Sequence, residues 1–113
     1  MSKYGNRKIH TTDGTFDSLK EARRWQELKL LQRDGEIKDL ERQRKFLLIP
    51  ALKYSDGSTQ RASYYIADFV YWEKAGDWQY RMIVEDVKGI RTDVYKLKKK
   101  LMYWQHGIRI REV

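Results

Sequence analysis

Residues 64–89 read YYIADFVYWEKAGDWQYRMIVEDVKG, and this stretch decides the predicted fold. Residues 64–72 and 79–88 are rich in β-branched and aromatic side chains, which favour strands. Residues 74–77, between them, have the only turn-like composition of the stretch. We therefore predict an antiparallel hairpin with its turn near Asp77, which lies nine residues from Asp68 and nine from Asp86. This symmetry would place the two aspartates abreast on neighbouring strands.

The two aspartates lie among apolar neighbours, and that environment predicts a nearby cation. Two close carboxylates repel each other, and burying an uncompensated charge is costly. Lys88 supplies one positive charge, and a hard divalent cation held by oxygen atoms would supply two. An Asp followed eighteen residues later by Asp-x-Lys suits phosphodiester cleavage, in which the cation activates water and neutralises the phosphate. Oxygen donors favour Mg²⁺ or Mn²⁺ over zinc.

The same residues carry a resemblance to a known family. Asp68 and Asp86-Val87-Lys88, preceded by the helical glutamate Glu21, resemble the PD-(D/E)XK nuclease superfamily. More narrowly, the chain is similar to short phage and prophage proteins of that type and to the phage endonuclease I group of Holliday-junction resolvases. Nearly the whole chain is covered, and Ala67 stands where the superfamily motif has proline. The resemblance implies a restriction-endonuclease-like α/β fold with catalytic residues Glu21, Asp68, Asp86 and Lys88, and with the Val87 carbonyl as a further metal ligand.

Glu21 has two interpretations. Ser18 and Glu21 have the spacing of a capping box, in which the glutamate would bond back to the Ser18 N–H at the start of a helix. Trp25 and Leu28 follow Glu21 at i+4 and i+7, so Glu21 also lies on the helix face directed towards the core. Because two acids are predicted on the hairpin and the resemblance places a third carboxylate here, we expect Glu21 to enter the metal site.

Composition limits the function classes. The chain has 113 residues and is predicted to be a single domain, residues 1–113. Its net charge of +8 indicates an anionic partner, with nucleic acid the first expectation. The absence of cysteine excludes disulfides and thiolate zinc sites. Only two histidines and no Gly-rich phosphate loop occur, so histidine-based metal sites and nucleotide hydrolysis lack support, and no small-molecule substrate is expected.

Two amphipathic helices near residues 18–34 and 92–104 are predicted to cover the two apolar faces of a small mixed sheet. The inward stripe of the second helix is predicted to be Val94, Leu97, Leu101 and Trp104. Strand segments are expected at residues 37–41 and 45–49, separated by a polar interruption, and a short closing strand at residues 108–111. Asp13-Gly14 predicts a small hairpin near the start of the chain.

Basic residues flank the predicted site. Residues 1–12 are expected to be a flexible basic arm, and the second helix begins shortly after Lys88. A run of lysines is often only a solvated helix face, but here a phosphate backbone would pass beside it. The residues expected to contact DNA are Arg91, Lys96, Lys99, Lys100 and Lys8.

Three functions fit these features. The first is a metal-dependent DNA endonuclease acting on branched DNA, as the resemblance to junction resolvases implies. The second is a nicking, mismatch or duplex endonuclease with the same site, and the third is a DNA-binding phage protein without catalysis. Resolving a junction requires two nicks related by two-fold symmetry, so a homodimer is expected. Neighbouring rings at Tyr71-Trp72 and Tyr103-Trp104 offer more aromatic surface than one small core easily buries.

Location follows from what the sequence lacks and from the resemblance. No apolar run has the length of a signal peptide or a membrane span, so no membrane partner is expected. The resemblance implies the cytoplasm of a phage-infected or prophage-bearing bacterium.

Overall fold

A computed structural model of the chain describes residues 8–87 and 91–113. Its elements, in chain order, are β1 (Ile9–Thr11), β2 (Gly14–Phe16), α1 (Leu19–Arg33), β3 (Ile37–Ile49), β4 (Leu52–Lys53), β5 (Thr59–Gln60), β6 (Ser63–Gly76), β7 (Gln79–Asp86), α2 (Asp93–His106) and β8 (Arg111–Glu112). The protein is therefore mixed α/β. Within these residues, no helix is long and apolar enough to cross a membrane.

The main sheet is mixed, as predicted. Its four strands follow the order β3-β6-β7-β8, so the hairpin of β6 and β7 occupies the two central positions. Strand β8 runs parallel to β7, with Glu85 opposite Arg111 and Asp86 opposite Glu112. Strands β6 and β7 are hydrogen-bonded neighbours joined by only two residues, a connection that antiparallel strands alone permit. Asp68 and Asp86 thus lie on adjacent central strands.

Two small hairpins lie outside the main sheet. Strands β1 and β2 pair around Asp13-Gly14, with Ile9 opposite Phe16, which confirms the predicted hairpin. Strands β4 and β5 pair around the turn at residues 54–58. The predicted flexible arm therefore does not reach residue 12, because Ile9–Thr11 is paired, and residues 1–7 lie outside the described part of the chain.

Strand β3 is continuous over residues 37–49 instead of forming the two predicted segments. Asp39 and Gln43 both have φ of 55°, a conformation that is uncommon for residues other than glycine. Such residues interrupt the regular pleat locally, as bulges do, without ending a strand. The polar residues 42–44 therefore lie within one long strand that is locally distorted.

The described residues form two compact units. The first contains the residues up to Leu40 together with Tyr71–Met82, and the second contains Glu41–Val70 together with the described residues from Ile83 to Val113. Helix α1 belongs to the first unit and helix α2 to the second. The long strands β3, β6 and β7 each contribute residues to both units.

In the first unit, helix α1 follows its predicted pattern. The Ser18 hydroxyl accepts a hydrogen bond from the Glu21 N–H at 3.1 Å, which confirms Ser18 as the N-cap. Leu28 is fully buried, and the Trp25 ring lies 6.3 Å from the ring of Phe16 on β2. Gly35, with φ of 81°, follows the last turn in the left-handed conformation that ends many helices.

In the second unit, helix α2 is rotated relative to its predicted orientation. Tyr95 and Met102 are buried, whereas Val94, Leu97 and Trp104 are 64%, 57% and 76% exposed. The predicted inward stripe is therefore wrong for these three residues, while Leu101, its fourth member, is half-buried. Apolar residues at helical spacing lie on the outside of this helix.

Contacts at both ends of α2 account for this rotation. The Tyr95 hydroxyl donates to Glu112 Oε2 of β8 at 2.7 Å, near the start of the helix. Near its end, His106 Nε2 lies 2.6 Å from the Leu47 carbonyl oxygen of β3, and the His106 ring meets the Phe46 ring edge-on at 5.8 Å. These contacts to the two outer strands accompany the burial of Tyr95 and Met102, which lie seven residues apart on one face of the helix.

Candidate active site

The carboxylate of Asp68 is bonded to the backbone just beyond Asp86. Asp68 Oδ2 accepts a hydrogen bond from the Val87 N–H at 2.8 Å. On the other side of the same peptide, the Asp86 carbonyl accepts the Val113 N–H at 3.0 Å. Strand β7 ends at Asp86, so these two bonds hold the peptide between Asp86 and Val87 where the strand finishes. They bring the Asp68 carboxylate to the backbone that follows Asp86, while the Asp86 carboxylate is bonded to Tyr65. The predicted side-chain proximity of Asp68 and Asp86 stays a prediction.

Asp86 is almost completely buried and is bonded to a tyrosine. The residue is 1% exposed, and its Oδ2 accepts the Tyr65 hydroxyl at 2.5 Å. Burial, and then this bond, raise the pKa of Tyr65 well above the ordinary tyrosine value. Tyr65 therefore keeps its proton at physiological pH and acts only as a donor to Asp86 here.

A second carboxylate, that of Glu112, stands opposite Asp86 on β8. Glu112 and its partners Tyr95, Arg91 and Lys99 form the Glu112 cluster. Glu112 Oε2 accepts the Tyr95 hydroxyl at 2.7 Å and Arg91 Nε at 3.1 Å, while Oε1 accepts Lys99 Nζ at 3.0 Å. The Tyr95 bond, supported by Lys99 and Arg91, lowers the pKa of Glu112 to about 2. Burial and the bond to Glu112 also raise the pKa of Tyr95 well above its usual range.

The residues predicted to contact DNA fall into two groups. Arg91 and Lys99 are bonded to Glu112, and Lys8 lies 3.9 Å from Asp17 in an exposed ion pair. Lys96 and Lys100 are exposed, and neither forms an ion pair within the described part of the chain. Lys96 and Lys100 therefore have the charge most available to a phosphate.

Comparison with known proteins identifies the family. A family described as "Protein of unknown function (DUF1064)" matches residues 1–111. The chain belongs to the DUF1064 family. No curated protein and no solved structure matches it.

Of the other two predicted catalytic residues, the structure describes Glu21 but not Lys88. Glu21 is 3% exposed, so the helix does turn it towards the interior, as its spacing predicted. It belongs to the first unit of the DUF1064 chain, while Asp68 and Asp86 belong to the second, and its entry into their site stays a prediction. Lys88 lies outside the described residues.

The residues at the end of β7 have the chemistry of a hard-cation site. Carboxylate oxygens of Asp68 and Asp86 and the Val87 carbonyl are oxygen donors of the kind that Mg²⁺ and Mn²⁺ prefer. Both acids also carry the supporting hydrogen bonds that orient metal ligands, one from Val87 and one from Tyr65. Within residues 8–87 and 91–113, no group of three or more His, Cys, Asp or Glu side chains is arranged to hold a metal ion. The metal site stays a prediction.

Three residues around this site are absent from the sequence-based prediction. Strict alternation along β6 places Tyr65 on the face opposite Asp68, so no contact with the aspartates is expected for it. Glu112 lies one residue beyond the predicted closing strand, and its neighbour Asp86 becomes apparent only when β8 pairs in parallel with β7. The sequence predicts Val94, and not its neighbour Tyr95, on the inward face of the helix. The positions of Tyr65 and Tyr95 in the sequence give no signal that would identify these contacts.

Proposed function

We propose that this DUF1064 protein is a divalent-metal-dependent DNA endonuclease of the PD-(D/E)XK type, with a restriction-endonuclease-like fold. One observation supports the proposal most. Asp68 and Asp86 lie on the two central strands of the sheet, and each carboxylate is oriented by its own hydrogen bond. Preorganised acids that share one end of a hairpin are what a phosphodiesterase site requires.

Each residue of the proposed site has its own role. Asp68, Asp86 and the Val87 carbonyl would hold Mg²⁺ or Mn²⁺, with Glu21 as the third carboxylate. When bound, such a metal supplies an activated water and neutralises charge on the phosphate. The Val87 N–H fixes the direction of the Asp68 carboxylate, and the Tyr65 hydroxyl fixes that of Asp86. Lys88 would position the nucleophile or stabilise developing charge, a role that rests on the Asp-x-Lys motif.

The substrate proposal rests on charge and resemblance. The net charge of +8 and the exposed Lys96 and Lys100 support binding to a phosphate backbone. Branched DNA is the substrate implied by the similarity to phage junction resolvases, and a homodimer would supply the two sites that a junction needs. A nicking enzyme for duplex or mismatched DNA would use the same acids on a different DNA surface.

A non-catalytic DNA-binding protein is the second candidate, and one observation favours it. Asp86 is 1% exposed and bonded to Tyr65, so a hydrogen bond within the protein already holds its carboxylate. In that case Asp68 would serve to secure the end of β7 through the Val87 N–H. The same residues would then stabilise the fold and perform no chemistry.

Cleavage of matched DNA substrates tests the proposal. A four-way junction and a linear duplex of the same sequence are incubated with wild-type protein, Mg²⁺ or Mn²⁺, and with EDTA as the metal-free control. We expect metal-dependent cutting of the junction, and loss of cutting in Asp86→Asn. Asp77→Asn, which removes a charge from the exposed hairpin turn, is the matched control and should cut normally. Cutting of the linear duplex alone indicates the nicking enzyme, and binding without any cutting indicates the non-catalytic protein.

A further inference from the structure

The second unit contains a basic cavity of about 470 Å³ beside helix α2. Its volume falls within the range of about 300–1,000 Å³ that is typical of sites for small organic groups. Ile110, which is buried, forms an apolar part of the lining, and Tyr103 is 64% exposed. The described lining residues are Lys96, Lys99, Lys100, Tyr103, Arg109 and Ile110.

The cations around this cavity differ in how far their charge is already used. Lys99 donates to Glu112, so most of its charge is compensated within the protein. Lys96, Lys100 and Arg109 are exposed and form no ion pair with any described residue. None of the described lining residues is acidic. The cavity therefore combines three available positive charges with an accessible aromatic ring and an apolar floor.

We propose that this cavity binds an unpaired nucleotide of a DNA strand. The base would stack on Tyr103, and the flanking phosphates would contact Lys96, Lys100 and Arg109. Aromatic platforms beside cationic side chains are the usual means by which proteins hold single-stranded nucleic acid. A paired base inside a duplex has both faces covered by its neighbours, so the Tyr103 ring would add nothing to duplex binding. The inference rests on the proposed function in taking DNA as the ligand, and it specifies DNA with an unpaired segment as the substrate class.

The position of the cavity relative to the two aspartates supports this substrate class. Lys99, in the cavity wall, is bonded to Glu112, and Glu112 stands opposite Asp86 in the sheet. The Lys99 side chain therefore connects the cavity wall to β8, the strand next to the one that carries Asp86. An unpaired nucleotide held on Tyr103 would lie on the α2 side of this connection.

Binding in the absence of metal tests this inference separately from cleavage. Fluorescence anisotropy in EDTA would compare a fully paired duplex with the same duplex carrying a short unpaired flap. We expect Tyr103→Ala to weaken binding of the flapped DNA about tenfold while changing binding of the paired duplex little. Tyr103→Phe, which keeps the ring, should bind the flap like the wild type. Tyr54→Ala is the matched control, because it removes an exposed tyrosine outside the cavity.

Several outcomes would overturn the inference. Equal loss of affinity for both DNAs in Tyr103→Ala would mean that the ring does not read an unpaired base. No loss for the flapped DNA would do the same, and because Tyr103 is largely exposed, a circular dichroism spectrum suffices to show that the variant is folded. Binding of a free mononucleotide as tightly as the flapped strand would make this a small-molecule site. A protein that holds the flap through Tyr103 but never cuts would overturn the nuclease proposal and leave this inference standing.

Discussion

The carboxylate of Asp68 accepts a hydrogen bond from the backbone N–H of Val87, with 2.8 Å between Oδ2 and N. The Asp68 side chain has two properties that can be tested separately, its hydrogen-bond acceptor and its negative charge. The oxygen acceptor secures the end of β7, and a neutral amide would supply it equally well. The negative charge is needed only if Asp68 binds a cation. Substitutions that remove one property and keep the other can therefore distinguish a structural role from a catalytic one.

Asp68→Asn is expected to abolish cleavage with little change in stability, because asparagine retains an oxygen that accepts the Val87 N–H. Asp68→Ala loses that acceptor and should lower the free energy of unfolding by about 1–3 kcal/mol. Urea denaturation and the junction-cleavage assay measure the two effects. Wild-type cleavage by Asp68→Asn would remove Asp68 from the metal site. Equal destabilisation by Asn and Ala would show that the Val87 bond is not what Asp68 contributes to the fold.

Tyr65→Phe tests the support that Asp86 receives. Removing the hydroxyl takes one hydrogen bond from a carboxylate that is 1% exposed, and should cost about 1–3 kcal/mol of unfolding free energy. If Asp86 binds a metal, this supporting bond also orients the ligand, and its loss should weaken Mn²⁺ binding about 10–100-fold. Urea denaturation and calorimetric Mn²⁺ titration measure these effects. Tyr64→Phe, which changes the neighbouring exposed ring, is the control. A loss of stability without any change in Mn²⁺ binding would assign Tyr65 a purely structural role.

The Glu112 cluster predicts a pH dependence of stability. Its bonds with Tyr95, Lys99 and Arg91 lower the pKa of Glu112 from 4.5 to about 2 in the folded protein. A carboxyl group with a lowered folded pKa contributes stability that is complete above its unfolded pKa and is lost as the pH falls through the folded one. Glu112→Gln should therefore be less stable than the wild type at pH 7, and the difference should shrink between pH 4.5 and pH 2. Urea denaturation across this range is the measurement. A difference that stays constant with pH would mean that packing, and not charge, makes Glu112 stabilising.

Local signals in the sequence predicted the elements well. Ser18 begins helix α1, Asp13-Gly14 forms a hairpin turn, and the turn near Asp77 joins the two central strands. Each of these depends on the conformational preferences of a few consecutive residues, which the sequence states directly. The placement of Asp68 and Asp86 on adjacent strands follows from one of these turns, and for that reason it could be predicted.

The features that the sequence did not predict depend on contacts between residues that are far apart in the chain. The face that α2 presents to the sheet depends on Tyr95 meeting Glu112, which requires β8 to pair with β7 from a distant part of the chain. The Lys99 ammonium group bonds to Glu112 of β8, so a lysine in a basic run does not mark a solvent face reliably. For the same reason Tyr65 and Glu112 could not be placed beside Asp86 from periodicity alone.

The salt dependence of DNA binding should reflect which lysines are already paired. Lys96 and Lys100 are exposed and available, so replacing both with alanine should flatten the slope of log affinity against log salt by about 1.8, at about 0.9 per phosphate contact. Lys99→Ala should change the slope less, because Lys99 is bonded to Glu112. Affinity for a paired duplex, measured at several salt concentrations, checks both variants. An unchanged slope in the double variant would place the phosphate contacts on another surface.

The outward stripe of helix α2 gives the prediction of a dimer a specific surface. Val94, Leu97 and Trp104 are 64%, 57% and 76% exposed although they are spaced as core residues of a helix. Exposed apolar stripes of this kind commonly mark protein–protein contacts. Two copies that pair through α2 would bury both stripes in an isologous interface, and would bring two sites to one DNA molecule. We therefore expect the wild-type protein to be a dimer in solution.

Leu97→Glu tests this interface. A charge in the middle of the stripe should convert the dimer to a monomer without loss of the fold, because the side chain is exposed within one chain. The monomer should still nick one strand but should lose paired nicks across a junction, since each chain carries one site. Leu52→Glu, at an exposed position on β4, is the matched control and should remain a dimer. Light scattering at micromolar concentration, with and without junction DNA, decides the matter. A wild-type protein that stays monomeric in both conditions would argue against junction resolution and favour a nicking enzyme, while leaving the proposed metal site unchanged.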